Sequence, residues 1–145
     1  FKKLMEEGAR GDVEVTTPIM SPILWTTAAS GYPAEIHGVG GWTSGSGASN
    51  ASDVRVDRIW DVLSASKKEV IVAGWLMTWP APAVYGALLS DRFAWVKPMN
   101  GMENGMEHEI QSSLVFPDSL ATPMQALKPD ENWLLAEFRD VLALQ

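Results

Sequence analysis

Residues Val70 to Ala73 read Val-Ile-Val-Ala, an unbroken apolar run with three β-branched members, bounded by Glu69 and Gly74. A run of this kind suits a strand buried on both faces, as in a parallel sheet covered by helices. The preceding segment, "VRVDRIWDVLSASKK" from Val54 to Lys68, sets Val56, Ile59, Trp60 and Leu63 at helical spacing. Further upstream, "DVEVTT" from Asp12 to Thr17 alternates polar with β-branched residues, which predicts a short strand ended by Pro18. Parallel strands need a crossover connection, almost always right-handed, and the Trp60 helix is the obvious one between the 12–16 strand and the 70–73 strand. The order helix, strand, helix, loop, helix, strand, then helices predicts an α/β fold with a mostly parallel sheet flanked by helices. Two strong strands are too few for a complete doubly wound sheet, so the expectation is a domain only partly contained in residues 1–145.

Other segments fill in this plan. "FKKLMEEGARG" reads as the last turns of an amphipathic helix, with Phe1, Leu4 and Met5 on one side and Gly8 as its stop. A chain opening in this way is expected to be cut, or to have an unnatural start. Ser21 to Ser30 predicts a helix with Ser21 at the N-cap, Pro22 at the first helical position and Gly31 at the C-terminal stop. "GVGGWTSGSGASNAS" from Gly38 to Ser52 reads as a loop. A possible short strand is expected near Ala87 to Leu89, a loop from Phe93 to Gly105, and a short helix from Asp118 to Ala126 with Asp118 as cap. A final amphipathic helix in "PDENWLLAEFRDVLALQ" has Trp133, Leu134, Ala136, Phe138, Val141 and Leu142 on its apolar face.

Composition narrows the function classes. With 46% apolar and 20% charged residues the chain is globular in type. A net charge of −7 argues against binding polymeric nucleic acid or anionic membrane, both of which need clustered Lys and Arg. A small phosphate-bearing substrate stays open, since a helix N-terminus or a metal supplies local positive charge. There is no cysteine, which removes disulfides, thiolate zinc sites and thiol catalysis. No apolar run approaches the roughly 20 residues of a spanning helix. Localisation and oligomeric state are not readable from these features.

Ser21 poses the functional question. A serine at a helix N-cap ordinarily accepts a backbone N–H and stabilises the helix by ~1 kcal/mol. The same geometry places a hydroxyl beside free first-turn donors and the positive end of the helix dipole, where a phosphoryl group would be held. Attack would need an activated hydroxyl, and with no Ser-His-Asp set in view a metal is the natural activator.

The stretch "TTPIMSPILWTTAASGYPAEIHGVGGW" resembles the nucleophile segment of the alkaline-phosphatase superfamily, in its type I phosphodiesterase/nucleotide pyrophosphatase branch. Ser21, Trp25, Ser30-Gly31, Pro33 and His37-Gly38-Val39 follow one another as the family's nucleophile, aromatic patch, Thr-Gly, Pro and His-Gly-Ile/Val do. "FKKLMEEGARGDVEV" is similar to the preceding helix and strand. "RIWDVLSASKKEVIVAGWLMTWPAPAVYGALLSD" is similar to the following unit, so the likeness runs to about Asp91. Ser30 stands where Thr is commoner. Leu24 stands where nucleotide pyrophosphatases carry an Asn that holds the phosphoryl oxygen, which points to the broader phosphoesterase class.

The resemblance implies a partial alkaline-phosphatase-like domain over 1–145, with the nucleophile-bearing portion at 1–91 and an insertion or cap-like helical region at 92–145. It implies a metal-dependent hydrolase of small-molecule phosphate esters in the intact parent. Ser21 would be both the nucleophile and a ligand of one of two divalent ions, usually zinc. This chain would hold only part of the site and be inactive alone. A non-catalytic binding domain of the same fold, or a sulfatase or phosphomutase relative, remains the alternative.

The remaining candidates have plainer readings. The chain holds two histidines, His37 and His108. His37 matches the family's His-Gly position and reads as a turn histidine held by backbone groups. His108, between Glu107 and Glu109, reads as part of a solvated segment. Asp53 and Asp57 read as a helix cap and a solvated helix face. Trp60 and Trp133 read as core, and Trp75, Trp79 and Pro80 as packing under a Pro-rich turn, with a substrate pocket as the other possibility.

Overall fold

A computed structural model describes residues 2–15, 18–45, 47–93 and 114–127. Its elements in chain order are α1 (Lys2–Glu7), α2 (Ser21–Ser30), α3 (Ala34–His37), β1 (Thr43–Ser44), β2 (Gly47–Ala48), a 3-10 turn (Ala51–Asp53), α4 (Ile59–Ala65), β3 (Val70–Trp75), β4 (Gly86–Ser90), β5 (Val115–Phe116), a second 3-10 turn (Asp118–Leu120) and α5 (Ala121–Gln125). The expected helix in residues 129–145 lies outside the described residues, as does all but the first residue of the expected 93–105 loop.

The main sheet has the order β3-β4-β5. β3 and β4 are parallel, with Val70 opposite Gly86 and Val72 opposite Leu88, and β4 and β5 are antiparallel. β1 and β2 form a separate antiparallel hairpin. Among the described residues the chain is therefore mixed α/β with small sheets, one of them mixed.

The core is built where β3 meets α2 and α4. Ala29, Trp60, Val70, Val72, Val84 and Leu88 form one buried cluster, and Leu88 is completely shielded (0% exposed). A second cluster, Phe93, Leu114 and Val115, sits beyond β4 and is flanked by Trp79, Leu89, Leu120 and Met124. The strands can approach this closely at Gly86 because it has no side chain. Its φ is 138°, and a Cβ there would collide with the Val70 carbonyl oxygen.

Several expectations are corrected. Residues 12–15 are not in a strand, and Val13 and Val15 are exposed, so the expected 12–16 strand parallel to β3 is not formed among the described residues. Alternation supplied the pattern, but a strand needs a partner's backbone. β3 is buried on one face only: Val70 and Val72 point inward while Ile71 is 80% exposed. Continuous apolarity was read as two covered faces, and the described residues cover one. The Trp60 helix begins at Ile59 rather than Val54, and only Trp60 of its expected apolar face is buried. Asp57 precedes that helix as an exposed residue instead of lying on its face. In α1, Leu4 and Met5 are exposed. The Gly38–Ser52 stretch is not loop throughout, since it holds β1 and β2. Pro117, not Asp118, occupies the cap position of the 118–120 turn.

Core position should set mutational cost. Leu88→Ala is expected to destabilise the chain by about 2–5 kcal/mol, and Ile71→Ala by under about 1 kcal/mol. Urea unfolding of the two variants side by side checks this, and equal losses would mean that the buried face has been misassigned.

Candidate functional site

The helix predicted around Ser21 is present with its predicted limits, α2 from Ser21 to Ser30. Its C-terminal stop is Gly31 in the left-handed region at φ 75°, its N–H donating to the Thr27 carbonyl at 2.8 Å. The N-terminus differs by one residue. Met20, extended at φ −131° and ψ 135°, occupies the cap position and offers no side-chain cap bond. Ser21 is thus the first helical residue. Its side chain is exposed and makes no hydrogen bond among the described residues.

The donors around Ser21 are fewer than a generic helix start provides. Pro22 has no N–H. The N–H groups of Ile23 and Leu24 both donate to the Met20 carbonyl, each at 3.1 Å. Leu24 adds no side-chain donor. The Ser21 N–H is what the first turn leaves for an anion.

The body of α2 is fixed by its own hydroxyls and by a histidine. Thr26 Oγ1 donates to the Pro22 carbonyl at 2.7 Å, and Ser30 Oγ donates to the Thr26 carbonyl at 2.7 Å. His37 closes α3 and is fully buried (0% exposed). Its Nδ1 accepts the Val39 N–H at 3.1 Å, so the neutral ring carries its proton on Nε2, which donates to Thr27 Oγ1 at 3.1 Å. Both ring nitrogens are occupied, which agrees with a turn histidine and leaves none for a metal. Burial lowers the His37 pKa, opposed in part by the Glu35 carboxylate and by the backbone of His37 and Ile23.

Tryptophans anchor α2 to the sheet. Trp75 Nε1 donates to the Trp25 carbonyl at 3.2 Å, and the two rings meet edge to face at 4.8 Å and 69°. Trp60 meets Trp75 in the same manner at 5.8 Å. Trp79 packs in the second cluster with the Arg92 guanidinium over its ring at 3.8 Å, which matches the packing reading.

Other sequence candidates do not converge on Ser21. Asp53 is not the cap residue expected: Asn50 caps the 51–53 turn, and Asp53, its third residue, accepts the Asn50 N–H at 2.8 Å and the Ser44 hydroxyl at 2.6 Å to close the capping box. His108 lies outside the described residues. Among the described residues, no group of three or more His, Asp, Glu or Cys stands together as a metal site. Ser21 as a metal ligand has no partner ligands there.

Sequence reasoning missed two structural residues. Asp91 accepts the N–H groups of Met77 and Thr78 at 3.2 and 3.3 Å, pinning the turn after β3 to the end of β4. Arg58, 8% exposed, donates from Nε to Asp61 at 2.8 Å and from Nη1 to the Met77 carbonyl at 3.2 Å. The i,i+3 spacing of Arg58 and Asp61 was a visible signal. Nothing local in the sequence marks Asp91.

Because Met20 holds the cap position, Ser21→Ala should change stability by less than about 0.5 kcal/mol. Gly31→Ala meets no neighbouring atom, so its cost is conformational, about 1–2 kcal/mol. Thermal unfolding of both variants measures this, and a larger loss at Ser21 than at Gly31 would restore the capping role. Comparison of the chain with family models, curated proteins and solved structures gave no match.

Proposed function

We propose that this chain carries the nucleophile-bearing part of a phosphoric ester hydrolase of the alkaline-phosphatase type, close to its phosphodiesterase/nucleotide pyrophosphatase branch. The supporting observation is the placement of Ser21. Its unengaged, exposed hydroxyl opens a helix that is held from behind by His37 and Trp75, within the Ser-to-His-Gly-Val pattern. In this reading Ser21 Oγ forms a bond to phosphorus, the bond from phosphorus to the leaving alcohol breaks, and water then cleaves the phosphoseryl ester to restore the hydroxyl. The two divalent ions that the resemblance implies, zinc in the usual case, would lower the cost of that attack when bound. The described residues do not by themselves fit such a pair, since no ligand cluster surrounds Ser21. The part that belongs to this chain is positioning the hydroxyl.

A second reading, a non-catalytic binding domain of the same fold, draws support from the sparse first-turn donors. Pro22 and Leu24 leave little to hold a developing oxyanion.

The experiment is hydrolysis of a nitrophenyl phosphodiester. Residues 1–145 alone are expected to give negligible turnover. The same chain with its native flanking sequence is expected to be active, to lose about 10³-fold or more on Ser21→Ala, and to keep part of its rate on Ser21→Thr. An Ala variant that retains most of the activity would mean that Ser21 is not the nucleophile, and a flanked chain without activity would leave the binding-domain reading.

A further inference from the structure

We propose that His37 is an acid-sensitive latch: neutral, it holds the turn after α3 against α2, and protonated, it releases that turn next to Ser21. The inference rests on hydrogen-bond polarity. Nδ1 of His37 is an acceptor for the Val39 N–H, at 3.1 Å. A proton added there turns the acceptor into a donor facing a donor, so the bond is lost rather than weakened. Nε2 already donates to Thr27 Oγ1 and gains nothing from the change. The ring is 0% exposed, so no water solvates the new charge until the turn opens.

The charged groups near the ring do not compensate. α2, the helix behind it, contains no charged residue, and residues 38–42 contain none. α3 contributes Glu35, whose carboxylate favours the proton but less than burial opposes it. Arg55, whose N–H donates to the His37 carbonyl at 3.0 Å, lays its side chain against Gly38 and adds a like charge to that corner.

What would move is defined by the same contacts. Val39 is 1% exposed and follows Gly38, which sits at φ 85°. Gly41 lies against the Met20 side chain, where a Cβ would come within 3.3 Å of the Met20 Cε. Trp42, half exposed, is the next residue. Opening the Val39 bond therefore loosens a glycine-rich turn that touches the residue immediately before Ser21.

The sign with pH follows from linkage. The folded chain binds the proton less readily than the unfolded chain, whose histidine titrates at about 6.5. Stability is complete above about pH 6.5 and falls as the pH drops below it.

NMR of the wild-type chain tests the latch without reference to any activity. Long-range proton–nitrogen correlation at about pH 7.5 should show His37 as the Nε2–H tautomer. On titration to about pH 5 the Val39 amide and the Trp42 indole should shift together, with a midpoint below about 6.5. His108→Gln should leave this transition in place and His37→Gln should abolish it. An Nδ1–H tautomer, a Val39 amide that does not move, or a transition that survives in His37→Gln would overturn the proposal. The wild-type titration alone decides if the His37 variant does not fold.

Discussion

The parallel pairing of β3 with β4 is the contact on which the other described parts depend. It places Val70 and Val72 beside Leu88 on one face, and that face receives Ala29 from α2 and Trp60 from α4. Without it, α2 has no sheet to lie on, and the hydroxyl at its first residue has no fixed position. The pairing in turn depends on Gly86, where any side chain would strike the Val70 carbonyl oxygen. Hydrophobic burial supplies the driving force for the cluster, and one missing Cβ permits the approach.

Charge enters as a clasp rather than as a field. The Arg58 guanidinium spans Asp61 at the start of α4 and the Met77 carbonyl in the turn after β3. Asp91 holds the same turn from the end of β4. An arginine suits this role because its planar fork reaches two acceptors at once, and a lysine in its place would serve one. The loop that follows β3 is thereby fixed from both sides, on the sheet end where α/β proteins place ligands.

Short-range signals in the sequence were the legible ones. Ser21-Pro22 and Gly31 marked both ends of α2, because caps and breakers act over a few residues. The β-branched run marked β3 and the Ala87 to Leu89 run marked the middle of β4, although the depth of burial did not follow, since Ile71 faces outward. The strand expected at Asp12 failed because alternation describes a face and says nothing about a partner. Around α2, the sequence put Ser21 at the helix start and read His37 as a turn residue, but the Thr27 hydroxyl that holds the second ring nitrogen was not legible. The shift of the cap to Met20 was not legible, since it depends on the φ and ψ of one residue. The grip of Asp91 on residues 77 and 78 was equally hidden, because it joins positions far apart in the chain.

The Trp25–Trp75 contact carries a consequence of a different kind. Two indoles locked 4.8 Å apart, their planes inclined at 69°, have transition dipoles that are close together. Such a pair couples optically, and the coupling decays steeply with separation. One ring belongs to α2 and the other to the end of β3. The chain therefore carries a native chromophore that reads the seating of the Ser21 helix on its sheet. The circular dichroism of that pair would report a slip of the helix before any loss of helical content became visible.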